Sequence, residues 1–585
     1  MLGFAGLVKG GSLAPHWMAD GRSFWYVDGG PTAPAFHKVD PAANTDTPLF
    51  DVPRLRAALT EALGHRPPFE GAPFDTFEFA DGETAATFTV ENRRFRLDLA
   101  TYRLTSLGPA PAPVAPPPAG SALEQPAPRG GWTALVQGFD IALRSPADGR
   151  TVRLTTDGVE RYGWSLPPGA WQAAGTYLSP PGAWHPAGTH LIALRTDARA
   201  VHHMPVLHWL KPQHEEITWS PYAGPGEAAE VTELWVLSVS GGRVRIPTGD
   251  GDGQTIAPLG WRPDGSEFVF LLADRLFKRV DLMAATPDGR VRTILTEKQE
   301  TFVEGLAFGT ASRTMYYPLA DGSRFVWRSE RDGWSHLYLY DARGTLIRRL
   351  TTGATPVERV DAIDEKGGWV YYTAHGDPKR PYDEQVYRVD LEGQRSVRLV
   401  EATGVHAAAF APGKGFFLDT HSTVDRAPAV DLRRADGTLI RTMTTADISG
   451  LKALGWRAPE EFAVKAADGK TDLYGSLYTP HDFDPSRRYP VVDLQYMGNF
   501  VHSAPRTFSG TWLGDDAQSL TQLGFVVYIV DARGTPGRGK AFQDQTWMNV
   551  GKIEIPDHIA TLRQLAATRP YMDTTRVGIT GYSWG

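Results

Sequence analysis

From about residue 10 to residue 450 the apolar positions run in short stretches with a period of two, and glycine-rich turns separate them. One phrase keeps returning: an aromatic residue, a turn with Asp-Gly or Pro-Gly, then an alternating apolar strand. It stands in HWMADGRSFWYV (16–27), WHPAGTHLIAL (184–194), GWRPDGSEFVFLL (260–272) and FAPGKGFFLD (410–419). Strand pairs closed by glycine turns lie between them, as in LWVLSVSGGRVRIP (234–247), LYLYDARGTLIRRLT (337–351) and VYRVDLEGQRSVRLV (386–400). Period-two strands joined by such turns predict repeated antiparallel meanders rather than a helical array. A repeat of roughly 40 to 50 residues is the size of a four-stranded propeller blade, so a region of about 440 residues predicts seven or eight blades. GPAPAPVAPPPAG (108–120) reads as an insertion, because proline cannot donate ladder hydrogen bonds.

Near residue 455 the pattern changes. EEFAVKAADG (460–469), TDLYGSLYTP (471–480), YPVVDLQYMG (489–498) and GFVVYIVDARG (524–534) read as strands, the last two apolar enough for burial on both faces. IPDHIATLRQLAATRPY (555–571) reads as a helix with Ile559, Leu562, Leu565 and Ala566 on one stripe. Asp557 falls in its first turn, where the helix dipole favours a carboxylate. A short strand, 577–580, then leads into the final residues. The expected architecture is an all-β propeller over 1–450 followed by the first part of an α/β-hydrolase domain over 451–585.

Composition narrows the chemistry. A net charge of -7 spread without a basic run leaves no electrostatic footprint for nucleic acid. No cysteine is present, which removes disulfides, thiolate metal sites and a cysteine nucleophile. The start, MLGFAGLVKGGSLAPHW, has neither a basic n-region nor an apolar run of spanning length, so neither a signal peptide nor a membrane helix is expected.

The chemistry-bearing motif is the last one. Gly581-Tyr582-Ser583-Trp584-Gly585 has the G-x-S-x-G form of a nucleophile elbow, in which a strand feeds a sharp turn and glycines flank the serine to avoid collision with its neighbours. The acid and the histidine of such a fold follow the serine in the chain. They are expected beyond residue 585, so the sequence reads as cut at the elbow and the chain as given as inactive.

DARGTPGRGKAFQDQTWMNVG (531–551), the helix after it and YMDTTRVGITGYSWG (571–585) resemble the catalytic domain of the prolyl oligopeptidase family of serine peptidases, nearest the dipeptidyl peptidase IV branch. SERDGWSHLYLYD (329–341) and LTTDGVERYGW (154–164) resemble stretches of that branch's propeller. The resemblance implies Ser583 as nucleophile and the backbone N–H of Trp584 as half of an oxyanion hole, with the Trp584 side chain bordering the pocket before the scissile bond. It implies the Tyr496 hydroxyl as the other half. The implied activity is hydrolysis of short peptides, with proline before the scissile bond as candidate specificity, through an acyl-enzyme and without cofactor or metal. A peptide substrate and a homodimer are the partners it suggests. An esterase or acyl-peptide hydrolase on the same scaffold, and a non-catalytic propeller binding protein, stand as alternatives.

One departure bears on specificity. The branch holds the substrate's amino terminus with paired glutamates after a stretch like Tyr162-Gly163-Trp164, whereas SLPPGAW follows here. Glu215-Glu216 reads as a solvated pair. Other motifs fall short of their chemistry. GTPGRGKA (534–541) lacks the hydroxyl residue of a phosphate-binding loop, GDGDGQ (249–254) has Gln254 for the third acidic ligand of a calcium loop and Trp261 for its glutamate, and His202, His203 and His214 lack metal-binding spacing.

Overall fold

The computed structural model describes residues 6–30, 32–68, 70–110, 124–167, 183–211, 214–249, 251–305, 314–498, 500–508 and 512–585. Among these, eight four-stranded antiparallel sheets follow one another from His16 to Thr445, which settles the open blade count at eight. Seven are meanders with strands in chain order. The fourth blade departs from this, because a separate hairpin, His203–His208 with Glu216–Pro221, is inserted between its second strand, His190–Asp197, and its third, Val231–Ser238.

The repeated phrase is the turn between first and second strands. Asp264 Oδ1 accepts the Ser266 N–H at 2.9 Å and Asp321 Oδ1 accepts that of Ser323 at 2.8 Å, while Gly265 and Gly322 take the left-handed conformation that the turn demands. Adjacent blades share apolar clusters. Phe268 of blade five packs with Leu191 and Leu234 of blade four, and Trp327 and Phe325 of blade six pack with Val269 and Leu271 of blade five. Phe24, Tyr26 and Val39 join Phe416, Leu418 and Val430, which sets the eighth blade against the first. Each such side chain contributes about 1.5 to 3 kcal/mol by leaving water.

Beyond the blades lies a mixed five-stranded sheet in the spatial order Glu460–Lys465, Asp472–Tyr478, Val526–Asp531, Tyr489–Gln495, Met572–Gly581. The last three run parallel; the apolar runs of Val526–Asp531 and Tyr489–Gln495 are buried as expected for strands covered on both faces, whereas Met572–Gly581 is exposed from Thr574 onward. Helix Trp512–Gln522 connects Tyr489–Gln495 to Val526–Asp531, and helix Glu554–Thr568 precedes the final strand.

Of the stripe expected on this second helix, Leu562, Leu565 and Ala566 pack into the core of the sheet, and only Ile559 is corrected. Its buried residues are Glu554, Asp557, His558, Thr561 and Leu565, while Ile559 is 45% exposed. The helix turns a polar face inward because partners await it: Arg533 grips Asp557, and Asp493 faces His558.

The sheet meets the propeller through connections at one end of the blades. Lys540 N–H donates to the Gly333 carbonyl at 2.8 Å, Trp547 stacks on Phe302 at 5.1 Å, and the Phe508 N–H donates to Ser422 Oγ at 3.3 Å. Gly333 lies between second and third strands, Ser422 ends a second strand and Phe302 lies between blades, so the Asp-Gly turns occupy the opposite end.

Candidate active site

The strand Met572–Gly581 lies beside Tyr489–Gln495 in parallel register, with Val491 opposite Val577 and Gln495 opposite Gly581. Past Gly581 the chain turns sharply, and Ser583 sits at φ 55°, in the left-handed region. A non-glycine residue held there costs about 1 to 3 kcal/mol, a strain that gathers at functional turns. Both flanking glycines are needed for space. A Cβ on Gly581 would lie 2.6 Å from the Gln495 carbonyl oxygen, and one on Gly585 would strike the same atom. The turn is closed by the Gly585 N–H donating to the Tyr582 carbonyl at 2.9 Å, and Gln495 Nε2 donates to the Gly585 carbonyl at 3.4 Å. Gln495 is thus the floor of the elbow.

Tyr496 follows Gln495 directly, which brings it to the carboxyl ends of the parallel strands, where α/β sheets place their ligands. It is half-buried against the cluster of Leu494, Ala504, Leu513 and Ala517. Phe500 links it to the elbow: its ring meets Tyr496 at 6.1 Å and Trp584 at 5.9 Å, both edge to face. Ser583, Trp584 and Tyr496 therefore gather at one place. Trp584 is 45% exposed beside them.

The loop carrying Tyr496 is anchored on Asp531, a fully buried residue at the end of its strand. Asp531 Oδ1 accepts the N–H groups of Ser503 at 2.7 Å and Ala504 at 3.2 Å, and Oδ2 accepts Arg506 Nη2 at 2.9 Å. Ser503 Oγ reaches back to the Tyr496 carbonyl at 3.2 Å. Two residues on, Arg533 forms a fork with buried Asp557, Nε to Oδ2 at 2.9 Å and Nη2 to Oδ1 at 2.8 Å, which raises the guanidinium pKa further. Asp557 Oδ1 also accepts the Ala467 N–H at 2.9 Å. His558 Nδ1 lies 2.9 Å from Asp493 Oδ1 beneath the same strands. These supports were missed in the sequence. Their signal was D-A-R-G closing a fully apolar strand, which reads as a turn until the helix is placed against it.

Other marked residues lie elsewhere. Glu215 and Glu216 are exposed on the inserted hairpin, Glu216 paired with Lys211 at 2.9 Å. Of SLPPGAW, residues 168–171 lie outside the described residues, as do 111–120 of the proline-rich stretch. Lys540 of the phosphate-loop look-alike is buried with its ammonium 3.5 Å above the Phe302 ring and paired with Asp544. Asp419, His421 and Asp431 lie close enough to share a cation, but Arg433 supplies the positive charge, donating to Asp419 at 3.1 Å and to Asp431 at 2.7 Å. Despite burial the Asp431 pKa is held near 2, by His421 at 3.3 Å, the Thr442 hydroxyl and then the Arg433 charge.

An eight-bladed propeller carrying an α/β-hydrolase sheet with a serine elbow defines a class, and the comparisons with known proteins place the chain within it. The family model described as the dipeptidyl peptidase IV N-terminal region matches residues 80–428, and that of the prolyl oligopeptidase family matches 512–585. The chain belongs to the dipeptidyl peptidase IV branch of the prolyl oligopeptidase family. Dipeptidyl peptidase 8 of Homo sapiens is 27% identical over 386 residues, covering 57% of this chain and 42% of that protein. Its Mus musculus counterpart is 30% identical over 385 residues, covering 57% and 43%. The chain thus aligns with less than half the length of these relatives. The crystal structure of Porphyromonas gingivalis dipeptidyl peptidase 4 superposes with a TM-score of 0.71 at 22% identity, covering 99% of this chain and 79% of that one, which supports the fold. Among the described residues no helix is long and apolar enough to cross a membrane.

Proposed function

We propose that this chain is the propeller, residues 1–450, and the leading part of the catalytic domain, residues 451–585, of a serine peptidase that hydrolyses short peptides. The carrying observation is Ser583 in its strained elbow at the end of a parallel strand, with Tyr496 delivered beside it by the neighbouring strand. Ser583 Oγ attacks the substrate carbonyl carbon while its proton passes to a general base. The C–N bond then breaks, the amine leaves with a proton, and water hydrolyses the resulting ester. The Trp584 N–H and the Tyr496 hydroxyl are the donors to the oxyanion, and removing one such donor typically costs about 2.7 to 4 kcal/mol of barrier. The test uses the longest product of the gene, including whatever sequence follows residue 585, on a proline-containing chromogenic peptide. Turnover lost in Ser583→Ala is expected, and turnover retained there overturns the reading.

The partner proposed for the inserted hairpin is a second copy of the chain. Its register pairs Pro205 with Trp219 and Leu207 with Ile217, which sets these side chains on one face. Leu207, Ile217 and Trp219 are 54%, 56% and 62% exposed, an apolar strip that soluble chains usually cover. Sedimentation of a Leu207→Ser, Trp219→Ser double variant is expected to show monomer where the parent shows dimer, and a monomeric parent overturns it.

A further inference from the structure

The loop that carries Tyr496 is held from two sides. The hydrolase side is the Asp531 anchor described above. The other side belongs to the propeller, and it centres on Tyr382. This residue lies in the connection between the second and third strands of blade seven, Trp369–Ala374 and Gln385–Asp390, and it is only 3% exposed.

Its side chain enters the hydrolase part and meets three separate segments. The ring faces the Tyr474 ring edge to face at 6.0 Å, on the strand Asp472–Tyr478. It meets His502 edge to face at 4.6 Å, and the Arg506 guanidinium lies 4.8 Å over it, both within the loop that begins at Tyr496. The hydroxyl lies 2.8 Å from Thr535 Oγ1. Thr535 gives its own proton to the Ala532 carbonyl at 3.2 Å, so Tyr382 is the donor. Blade seven adds His375, stacked on His502 at 5.9 Å. The histidine side of this contact is tight, since a Cβ on Gly537 would lie 3.2 Å from the His502 ring and 3.4 Å from the His375 ring, while a cavity of about 200 Å³ opens on the side of Tyr474 and Arg506.

Arg506 joins the two sides, because the guanidinium stacked on Tyr382 is the one bonded to Asp531. Removing the Tyr382 ring would take one support from His502 and one from Arg506 together. Upstream in that loop lie Phe500 and Tyr496, which share a ring contact.

We propose that Tyr382 is a positioning residue: from the propeller it fixes the loop that aims the Tyr496 hydroxyl, so the oxyanion site is completed by the other half of the molecule. The inference rests on the proposed role of Tyr496. A donor displaced by about an ångström can cost as much as 10²-fold in rate with substrate binding little changed.

The experiment is a double-mutant cycle on kcat and KM in the longest product of the gene. Tyr382→Leu is expected to lower kcat about 10- to 100-fold with KM within about threefold, and Tyr382→Phe, which keeps the ring, to recover most of that loss. In the Tyr496→Phe background Tyr382→Leu is expected to cost less than about threefold more, because the group it positions is already gone. Multiplying losses, a change confined to KM, or an unchanged kcat in Tyr382→Leu would each overturn the inference. If Tyr496→Phe alone turns over like the parent, the oxyanion reading fails first, whatever Tyr382 does. Should Tyr382→Leu not fold, Thr535→Val carries the same cycle, with a smaller kcat loss that again does not multiply expected and a multiplying or absent one refuting.

Discussion

His336 offers a quantitative test of the propeller's internal electrostatics. It opens the third strand of blade six, His336–Asp341, and is fully buried. The Leu337 N–H donates to Thr351 Oγ1 at 3.0 Å, and His336 Nδ1 is hydrogen-bonded to the same hydroxyl, also at 3.0 Å. Burial, and next the Arg349 guanidinium, push the imidazole pKa from 6.5 down to about 4, against a smaller opposing pull from Asp332. The folded state therefore takes up a proton later than the unfolded one. Stability from this residue is complete above the unfolded pKa, is lost as pH falls from about 6.5 towards 4, and is constant below that.

A shift of this size corresponds to about 3 kcal/mol in the acid limit and about 2 kcal/mol between pH 8 and pH 5. His336→Gln keeps a hydrogen-bonding side chain and removes the titration. The assay is native-state hydrogen exchange followed on peptides of 336–341 and 346–349, corrected for the intrinsic pH dependence of exchange, because local opening can be read without two-state unfolding of the whole chain. The parent's protection should fall about 30-fold more than the variant's between pH 8 and pH 5, the factor equivalent to about 2 kcal/mol. Parallel pH profiles for the two proteins would refute the buried neutral imidazole.

Asp557→Asn should destabilise the hydrolase sheet by about 3 kcal/mol, the lower end for a broken buried pair because Arg533 keeps some solvent contact, seen as lost protection in helix Glu554–Thr568. An unchanged exchange pattern there would contradict the keystone role of the pair. Tyr496→Phe in the longest gene product should lower kcat by roughly 10² to 10³ with little change in KM, and parental kcat would remove Tyr496 from the oxyanion hole. N-free and N-blocked forms of one proline peptide should differ by less than about tenfold in kcat/KM, because Ser165-Leu166-Pro167 stands where a carboxylate pair would reward an ammonium. A hundredfold preference for the free amine would reveal another acidic anchor.

What could be read from the sequence was whatever the chain encodes locally. The Asp-Gly turns were legible because both the side-chain acceptor and the left-handed residue lie within four positions, and the elbow because its glycines flank the serine. Even so, the turn in FAPGKGFFLD places its left-handed conformation on Lys414 and not on a glycine. The inserted hairpin, helix Val52–Leu63 and helix Trp512–Gln522 went unread. HMPVLH and EITWSP carry apolar residues that face outward, a pattern that periodicity cannot distinguish from an ordinary blade strand.

The site's supports were invisible for a different reason. An apolar stripe predicts which face of a helix is buried only when burial is driven by leaving water, and helix Glu554–Thr568 buries Asp557 and His558 because Arg533, in a turn 24 positions away, and Asp493, on a strand 65 positions away, meet them. The same holds for Tyr382 and Thr535, 153 residues apart, and for Phe508 and Ser422, 86 apart. Each polar group is costly to bury alone and acceptable once paired, so its placement depends on the tertiary fold and not on its neighbours in sequence. The elbow is a local device, whereas the loop that aims Tyr496 is fixed by pairings across the sheet and across the propeller contact. A substitution in blade seven can therefore reach the chemistry without altering any residue of the G-x-S-x-G motif.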